Sequence, residues 1–198
     1  MRIGVIALQG DFAEHIAMLS RLDVDAFPVR LPSQLDELDG LVIPGGESTT
    51  LNRLMTEYAL IEPVTELAYQ GLPVWGTCAG MVLLAKTVTN SADGSLGIMN
   101  IEVERNAFGR QVDSFESELS IPALGDHPFP GVFIRAPVIR AVAAGVEILC
   151  QLPDGAIVAA RQGNCLASSF HPELTGDFRF HSYFLSLDGR HAFTKGSH

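Results

Sequence analysis

Cys78, His171 and Glu173 are the residues in this chain whose types and surroundings could carry out covalent chemistry. Cys78 lies in Val74-Trp75-Gly76-Thr77-Cys78-Ala79-Gly80, which has the form G-x-C-x-G. The serine version of this pattern is a nucleophile elbow, a sharp turn from a strand into a helix. Such a turn strains the nucleophile's backbone, and flanking glycines remove side chains that would clash. The sulfur then stands at a helix N-terminus, where the dipole favours a thiolate. The N–H of Ala79 can donate to an oxyanion from the same place. Taken alone, the pattern fits a buried structural cysteine between packing glycines equally well. The second group is His171-Pro172-Glu173, which ends the apolar run 164–170. A thiolate needs a base, and the base needs an orienter. Pro172 holds His171 extended, and residues two apart in an extended segment face the same side. Glu173 can therefore reach one imidazole nitrogen while the other faces the thiol. A set of that kind can carry out nucleophilic chemistry through sulfur.

These groups must be delivered by a scaffold, and the first half of the chain describes one. Residues 3–8 are almost all apolar, as in a parallel strand covered on both faces. Asp11 is placed to cap a helix with Phe12, Ile16 and Leu19 on one face. Strands follow at 24–29 and 40–43, the latter stopped by Pro44-Gly45-Gly46. Ser48 or Thr49 then caps a helix in which Leu51, Leu54, Met55 and Tyr58 keep helical spacing. Residues 73–77 form a fourth short strand running into Cys78 and a small apolar helix. Alternation of strand and helix is the signature of a parallel α/β sheet. After Gly97 the texture becomes antiparallel. Residues 101–104 alternate, and 147–152 with 156–161 flank Pro153-Asp154-Gly155 as a hairpin. Residues 164–170 are a last strand. A closing helix at 176–187 carries Phe180, Phe184 and Leu187 on one face. The expected fold is a three-layer α/β domain over 1–190, an open and mostly parallel sheet with antiparallel additions, with 191–198 as a C-terminal tail. Both Cys78 and His171 fall at carboxyl ends of its strands, where ligands bind in open α/β sheets.

The bulk composition narrows the function. The 198 residues are ample for one core. With 47% hydrophobic and 18% charged residues, the chain is globular rather than disordered. A net charge of −10 argues against nucleic-acid binding, which needs a basic surface. No apolar run is long enough to span a membrane. The three cysteines (Cys78, Cys150 and Cys165) are too scattered for a disulfide framework or a metal site, and a reducing cytoplasm suits them. Cys150 and Cys165 lie within apolar strand patterns and read as core. His15, His127, His181 and His191 have no partner spacing and receive no role.

The two groups together resemble a known family. GTCAG around Cys78 with His171-Pro172-Glu173 is similar to the class I (triad) glutamine amidotransferases, whose fold is flavodoxin-like. The order Cys, His, Glu separates the chain from α/β-hydrolases, which run nucleophile, acid, histidine. Pro44-Gly45-Gly46-Glu47-Ser48-Thr49 resembles the loop that supplies the second oxyanion donor in that class. Leu8-Gln9-Gly10-Asp11-Phe12, Arg105-Asn106-Ala107-Phe108-Gly109-Arg110-Gln111 and Phe133-Ile134-Arg135-Ala136-Pro137 narrow the resemblance to the glutaminase subunits of pyridoxal 5′-phosphate synthase. The resemblance implies catalysis by Cys78, His171 and Glu173, and oxyanion donors at Gly46 and Ala79. It implies a glutamine pocket lined by Gly46, Glu47, Ser48, Arg105, Ile134 and Arg135. Glu47 is also a reasonable partner for an α-ammonium group. No metal or organic cofactor is implied. The partners implied are L-glutamine and a synthase subunit that receives the ammonia to build pyridoxal 5′-phosphate. The alternatives are the glutaminase of another pathway such as histidine synthesis, an independent γ-glutamyl hydrolase, and a non-catalytic binding module.

Overall fold

The apolar runs of the first half become the parallel part of one sheet in the computed structural model, which describes residues 1–89, 96–108 and 114–188. Strand β1 is Arg2–Ile6, followed by helix α1 (Phe12–Ser20) and β2 (Asp25–Val29). Next come β3 (Gly40–Ile43), α2 (Ser48–Glu57), α3 (Ile61–Tyr69), β4 (Val74–Thr77) and α4 (Ala79–Leu84). The second half adds β5 (Ala85–Val88), β6 (Met99–Glu104), β7 (Ser114–Leu119), β8 (Phe129–Ile134) and β9 (Val138–Val142). It ends with β10 (Glu147–Gln151), β11 (Ile157–Gln162), β12 (Cys165–Ser168) and α5 (Arg179–Leu185). The sheet order is β2-β1-β3-β4-β12-β11-β9-β6-β5, with β10 paired to β11. From β2 through β12 the neighbours are parallel; β11 begins an extension that is antiparallel as far as β6, and β5 closes it parallel to β6. This is the mixed, mostly parallel α/β fold that the alternation of elements predicts.

Side chains alternate across a strand, so each strand of the parallel core feeds two cores. Ile6, Leu41, Ile43 and Val74 pack with Leu51, Met55, Val64 and Leu84, the face covered by α2, α3 and α4. Ile3, Val5, Val42 and Trp75 pack with Leu19, Phe180 and Phe184, the face covered by α1 and α5. Cys150 and Cys165 are free and buried, and burial pushes each thiol up to about 11, as core cysteines require.

Several local expectations change. Asp11 precedes α1, but its side chain makes no capping bond, because it is turned toward His171. Neither Ser48 nor Thr49 caps α2. The cap is Glu47, whose carboxylate accepts from the N–H of Thr49 at 3.1 Å and of Thr50 at 2.7 Å. The closing helix is shorter than expected and starts at Arg179. Helix α3 and strands β5, β7, β8 and β9 carry no assignment in the sequence reading. Pro63 in α3 sits in the first turn, where it is tolerated. Pro130 and Gly131 interrupt the strand signal of β8, which among the described residues pairs with β7 alone, in a separate two-stranded ribbon. The expected 191–198 tail lies outside the described residues.

Candidate active site

Strand register brings the two sequence groups together. Parallel β4 and β12 pair Trp75 with Leu166, Gly76 with Ala167 and Thr77 with Ser168. The pairing continues one step further, as the N–H of Cys78 donates to the carbonyl of Ser168 at 2.8 Å. Both strands therefore end at one level, and the residues that follow them are neighbours. The N–H of His171 donates to the carbonyl of Val132 at 2.8 Å, tying the histidine to the β7–β8 ribbon.

Cys78 has the strained backbone that the elbow demands, with φ +47° and ψ −103°. A non-glycine residue at positive φ is uncommon and costs on the order of 1–3 kcal/mol. The flanking glycines are there for space. A Cβ on Gly76 would stand 2.4 Å from the backbone of Gly80, and one on Gly80 would stand 2.0 Å from the carbonyl oxygen of Ile43. Only bare backbone lets α4 rise this close to β3 and β4.

Glu173 reaches His171 by a route other than the expected one. The chain is not extended at this point. Pro172–Leu174 form a single 3₁₀ turn, and within it Glu173 Oε1 accepts from His171 Nδ1 at 2.7 Å. Both side chains are buried. Among the described residues Nε2 of His171 has no partner at ordinary hydrogen-bond geometry, which leaves it to serve the neighbouring sulfur and a substrate. Burial lowers the His171 pKa, but hydrogen bonding and charge from Cys78 and Glu173 outweigh this and push it up to about 10. Burial raises the Glu173 pKa against the opposing pull of His171. Asp11 adds a second carboxylate, with Oδ2 3.5 Å from His171 Nδ1. Asp11, His171 and Glu173 also have donor atoms close enough to share a cation. However, the Nδ1 such an ion would need is already committed to Glu173.

A cleft of about 350 Å³ opens over the sulfur. Its lining includes Cys78, Ala79 and His171, together with Gly46, Glu47, Ser48, Arg105, Ile134 and Arg135. Every residue expected in the pocket from the sequence is thus at its wall, while Glu173 lies behind His171. Cys78 Sγ is 3.9 Å from the carbonyl oxygen of Ile134 at the end of β8. Arg135 is exposed, at φ +42°, and makes no ion pair among the described residues. Arg105 reaches Glu47 Oε1 and Thr49 Oγ1, both at 3.1 Å. The Glu47 carboxylate is thereby engaged by α2 and Arg105. Although burial acts to raise its pKa, the bonds from Thr50 and Thr49 and the Arg105 charge bring it below the ordinary value.

Sequence reasoning placed neither Gln9 nor Asp11 in the cleft, yet both line it. Their signal was position, since they follow β1 at the same sheet edge as Cys78. Gln9 Oε1 accepts from the N–H of Glu47 at 3.0 Å, and the N–H of Asp11 donates to the carbonyl of Gly45 at 3.2 Å. The β1–α1 loop therefore holds the peptide groups on both sides of Gly46. His15 and His181, given no role from the sequence, are fully buried directly behind Glu173. His127 stays at the surface, and His191 lies outside the described residues.

A thiol, an imidazole and a carboxylate in line at one edge of an α/β sheet are the parts of a cysteine-dependent acyl-transfer enzyme. Residues 5–187 match the SNO glutamine amidotransferase family, and the chain belongs to that family. A relative from Herpetosiphon aurantiacus, named pyridoxal 5′-phosphate synthase subunit PdxT, is 56% identical over 190 residues, covering 94% of this chain and 100% of its own. One of the same name from Moorella thermoacetica is 57% identical over 189 residues, covering 96% of this chain and 100% of its own. A solved structure, described as a glutamine amidotransferase, superimposes with a TM-score of 0.89 at 49% identity, over 94% of this chain and 98% of its own.

Proposed function

We propose that this chain is the glutaminase subunit of a pyridoxal 5′-phosphate synthase, hydrolysing L-glutamine to L-glutamate and passing the ammonia to a synthase subunit. The observation that carries the reading is the union, at the base of one cleft, of a strained Cys78 with a His171 whose Nδ1 is held by Glu173 at 2.7 Å. The family membership and the PdxT relatives support the pathway.

The Cys78 thiolate attacks the side-chain amide carbon of glutamine. The resulting oxyanion accepts hydrogen bonds from the N–H of Ala79 and the N–H of Gly46. His171 gives its proton to the departing ammonia, leaving a γ-glutamyl thioester on Cys78. It then takes a proton from water, whose oxygen attacks the thioester and releases glutamate. Glu173 keeps the imidazole in the tautomer and orientation that place Nε2 toward these atoms. Gly46, Glu47, Ser48, Arg105, Ile134 and Arg135 enclose the substrate, with the Arg135 guanidinium, which has no ion pair among the described residues, suited to the α-carboxylate. No step calls for a metal or organic cofactor. The reading places the enzyme in the cytoplasm, and no helix among the described residues is long and apolar enough to cross a membrane. It also treats 1–190 as one functional domain.

The test is glutamine hydrolysis by the parent and by Cys78→Ala, each with the synthase subunit present, alongside labelling by a glutamine-mimicking electrophile. Loss of activity with a retained fold, and labelling of the parent alone, are expected. A Cys78→Ala protein that hydrolyses glutamine at the parent rate overturns the reading. Equal turnover of γ-glutamyl peptides without the synthase would point to the independent hydrolase instead.

A further inference from the structure

Behind Glu173 lies a set of buried polar side chains that the reaction above does not use. His15 of α1 places Nε2 3.3 Å from Glu173 Oε2, and both side chains are wholly shielded from solvent. Among the described residues that oxygen has no partner at ordinary hydrogen-bond geometry, the His15 contact included. The same Nε2 lies 3.2 Å from Thr77 Oγ1, on the residue before the nucleophile. Nδ1 of His15 lies 3.2 Å from His181 Nε2 on α5. The Trp75 ring stands T-shaped to both imidazoles, with centroids at 5.3 and 4.9 Å. We propose that His15, braced by Thr77 and His181, is a positioning residue that donates to the second oxygen of Glu173 and so keeps the first on His171. This rests on the triad reading given above.

The proton positions follow from what each nitrogen faces. Burial, then the neighbouring His181 and His171, hold the His15 pKa well below its ordinary value, so His15 is neutral and has one N–H. Burial likewise holds His181 down, to about 3. Nδ1 of His181 has no partner among the described residues. An orphaned buried N–H is rarer than an under-used acceptor, so that nitrogen carries the lone pair. His181 then donates from Nε2 to Nδ1 of His15, and the single proton of His15 sits on Nε2. There it is in hydrogen-bond geometry with Thr77 Oγ1 and lies 3.3 Å from Glu173 Oε2, the oxygen it is proposed to serve. The opposite tautomer would set a lone pair beside a buried carboxylate oxygen, 3.3 Å away. Without this donor the carboxylate is free to turn about its own axis, and the short bond to His171 is no longer unique. The titratable groups around Glu173 are His171 in front, Asp11 beyond it, His15 behind and His181 behind that.

The experiment compares His15→Gln with His15→Asn in the full chain with its synthase subunit. The two replacements are polar and close in size. The Gln amide reaches the place of Nε2, whereas the Asn amide reaches only that of Nδ1. His15→Asn is expected to lower kcat for glutamine about 10- to 100-fold, the reach of one hydrogen bond to a charged group. Its KM should be unchanged. The acid limb of its kcat profile should move to higher pH, because a lost donor disfavours the charged carboxylate. His15→Gln should recover most of the rate and return the limb. Equal kcat and an unmoved limb in both variants, or a fall in Tm alone, would overturn the proposal. Cys78→Ala in the same assay separates this from the reading beneath it. If that protein is inactive while His15→Asn matches the parent, only the role of His15 fails. If Cys78→Ala stays active, the triad reading itself fails.

Discussion

Gly80→Ala is the smallest change that tests how the nucleophile is held. The new methyl carbon would stand 2.0 Å from the carbonyl oxygen of Ile43, where ordinary contact begins at about 3.4 Å. It would also lie 2.9 Å from the Ile43 carbonyl carbon, so the obstacle is backbone at the C-terminal end of β3 and has no rotamer to escape into. Helix α4 must therefore retreat by about 1.4 Å, carrying Cys78 away from His171. A misplacement of about 1 Å costs on the order of 10²-fold in rate. Overpacking of a dense core costs about 1–3 kcal/mol in stability. For a chain of this size that is a fall in Tm of about 2–4 °C per kcal/mol. The assays are steady-state glutamine hydrolysis with the synthase subunit present and thermal unfolding of the isolated chain. The expected result is a folded protein whose activity has dropped far more than its stability. Parent-level activity would refute the account, because it would mean that α4 is free to shift without disturbing the sulfur. Global unfolding would refute it too, by making Gly80 a residue of the fold as a whole and not of the turn.

Arg135→Ala should raise the KM for glutamine more than it lowers kcat, as expected for a cation that grips the distal end of the substrate; an unchanged KM with weakened affinity for the synthase would move Arg135 from pocket to interface. The His171 pKa, raised from 6.5 to about 10, contributes stability that is fully present below pH 6.5 and is lost as pH rises through about 10. The Tm advantage of the parent over His171→Asn should therefore shrink across that window, and an advantage that grows with pH would contradict the charged-imidazole arrangement. The isolated chain should be a weak glutaminase activated on titration with the synthase subunit, since one oxyanion donor lies in the Gly45-Gly46 turn and losing such a donor costs about 10²–10³ in kcat. A rate already high alone and flat through the titration would exclude this.

The parts of this protein that were legible in its sequence are those whose signal is local. The strand runs of the first half, the hairpin around Pro153-Asp154-Gly155 and the glycine-flanked Cys78 each announce themselves within a few residues. The union of Cys78 with His171 is not local, but it could still be reached, because two strands of a parallel sheet end at a common edge and both groups followed strands. What escaped depends on neighbours far away in the chain. Strand β8 hides behind Pro130 and Gly131, which it tolerates because β7 is its one strand partner among the described residues. Glu47 took the cap from Ser48 and Thr49 because Arg105, 58 residues away, draws its carboxylate to the same place.

The histidines make this point most directly. His15 is separated from His181 by 166 residues and from Thr77 by 62, and nothing in the spacing of any of them points to another. They meet because α1 and α5 cover the same face of the sheet, and because Trp75, on that face of β4, packs T-shaped against both imidazoles. Buried neutral histidine is tolerable only where each N–H finds an acceptor. The acceptors available there are another imidazole, a hydroxyl on the residue before the nucleophile and the carboxylate of the triad. A pattern search that looks for partners along the chain dismisses such residues. A search that asks which polar groups a sheet face must satisfy is led from Glu173 to His15, and from His15 to His181.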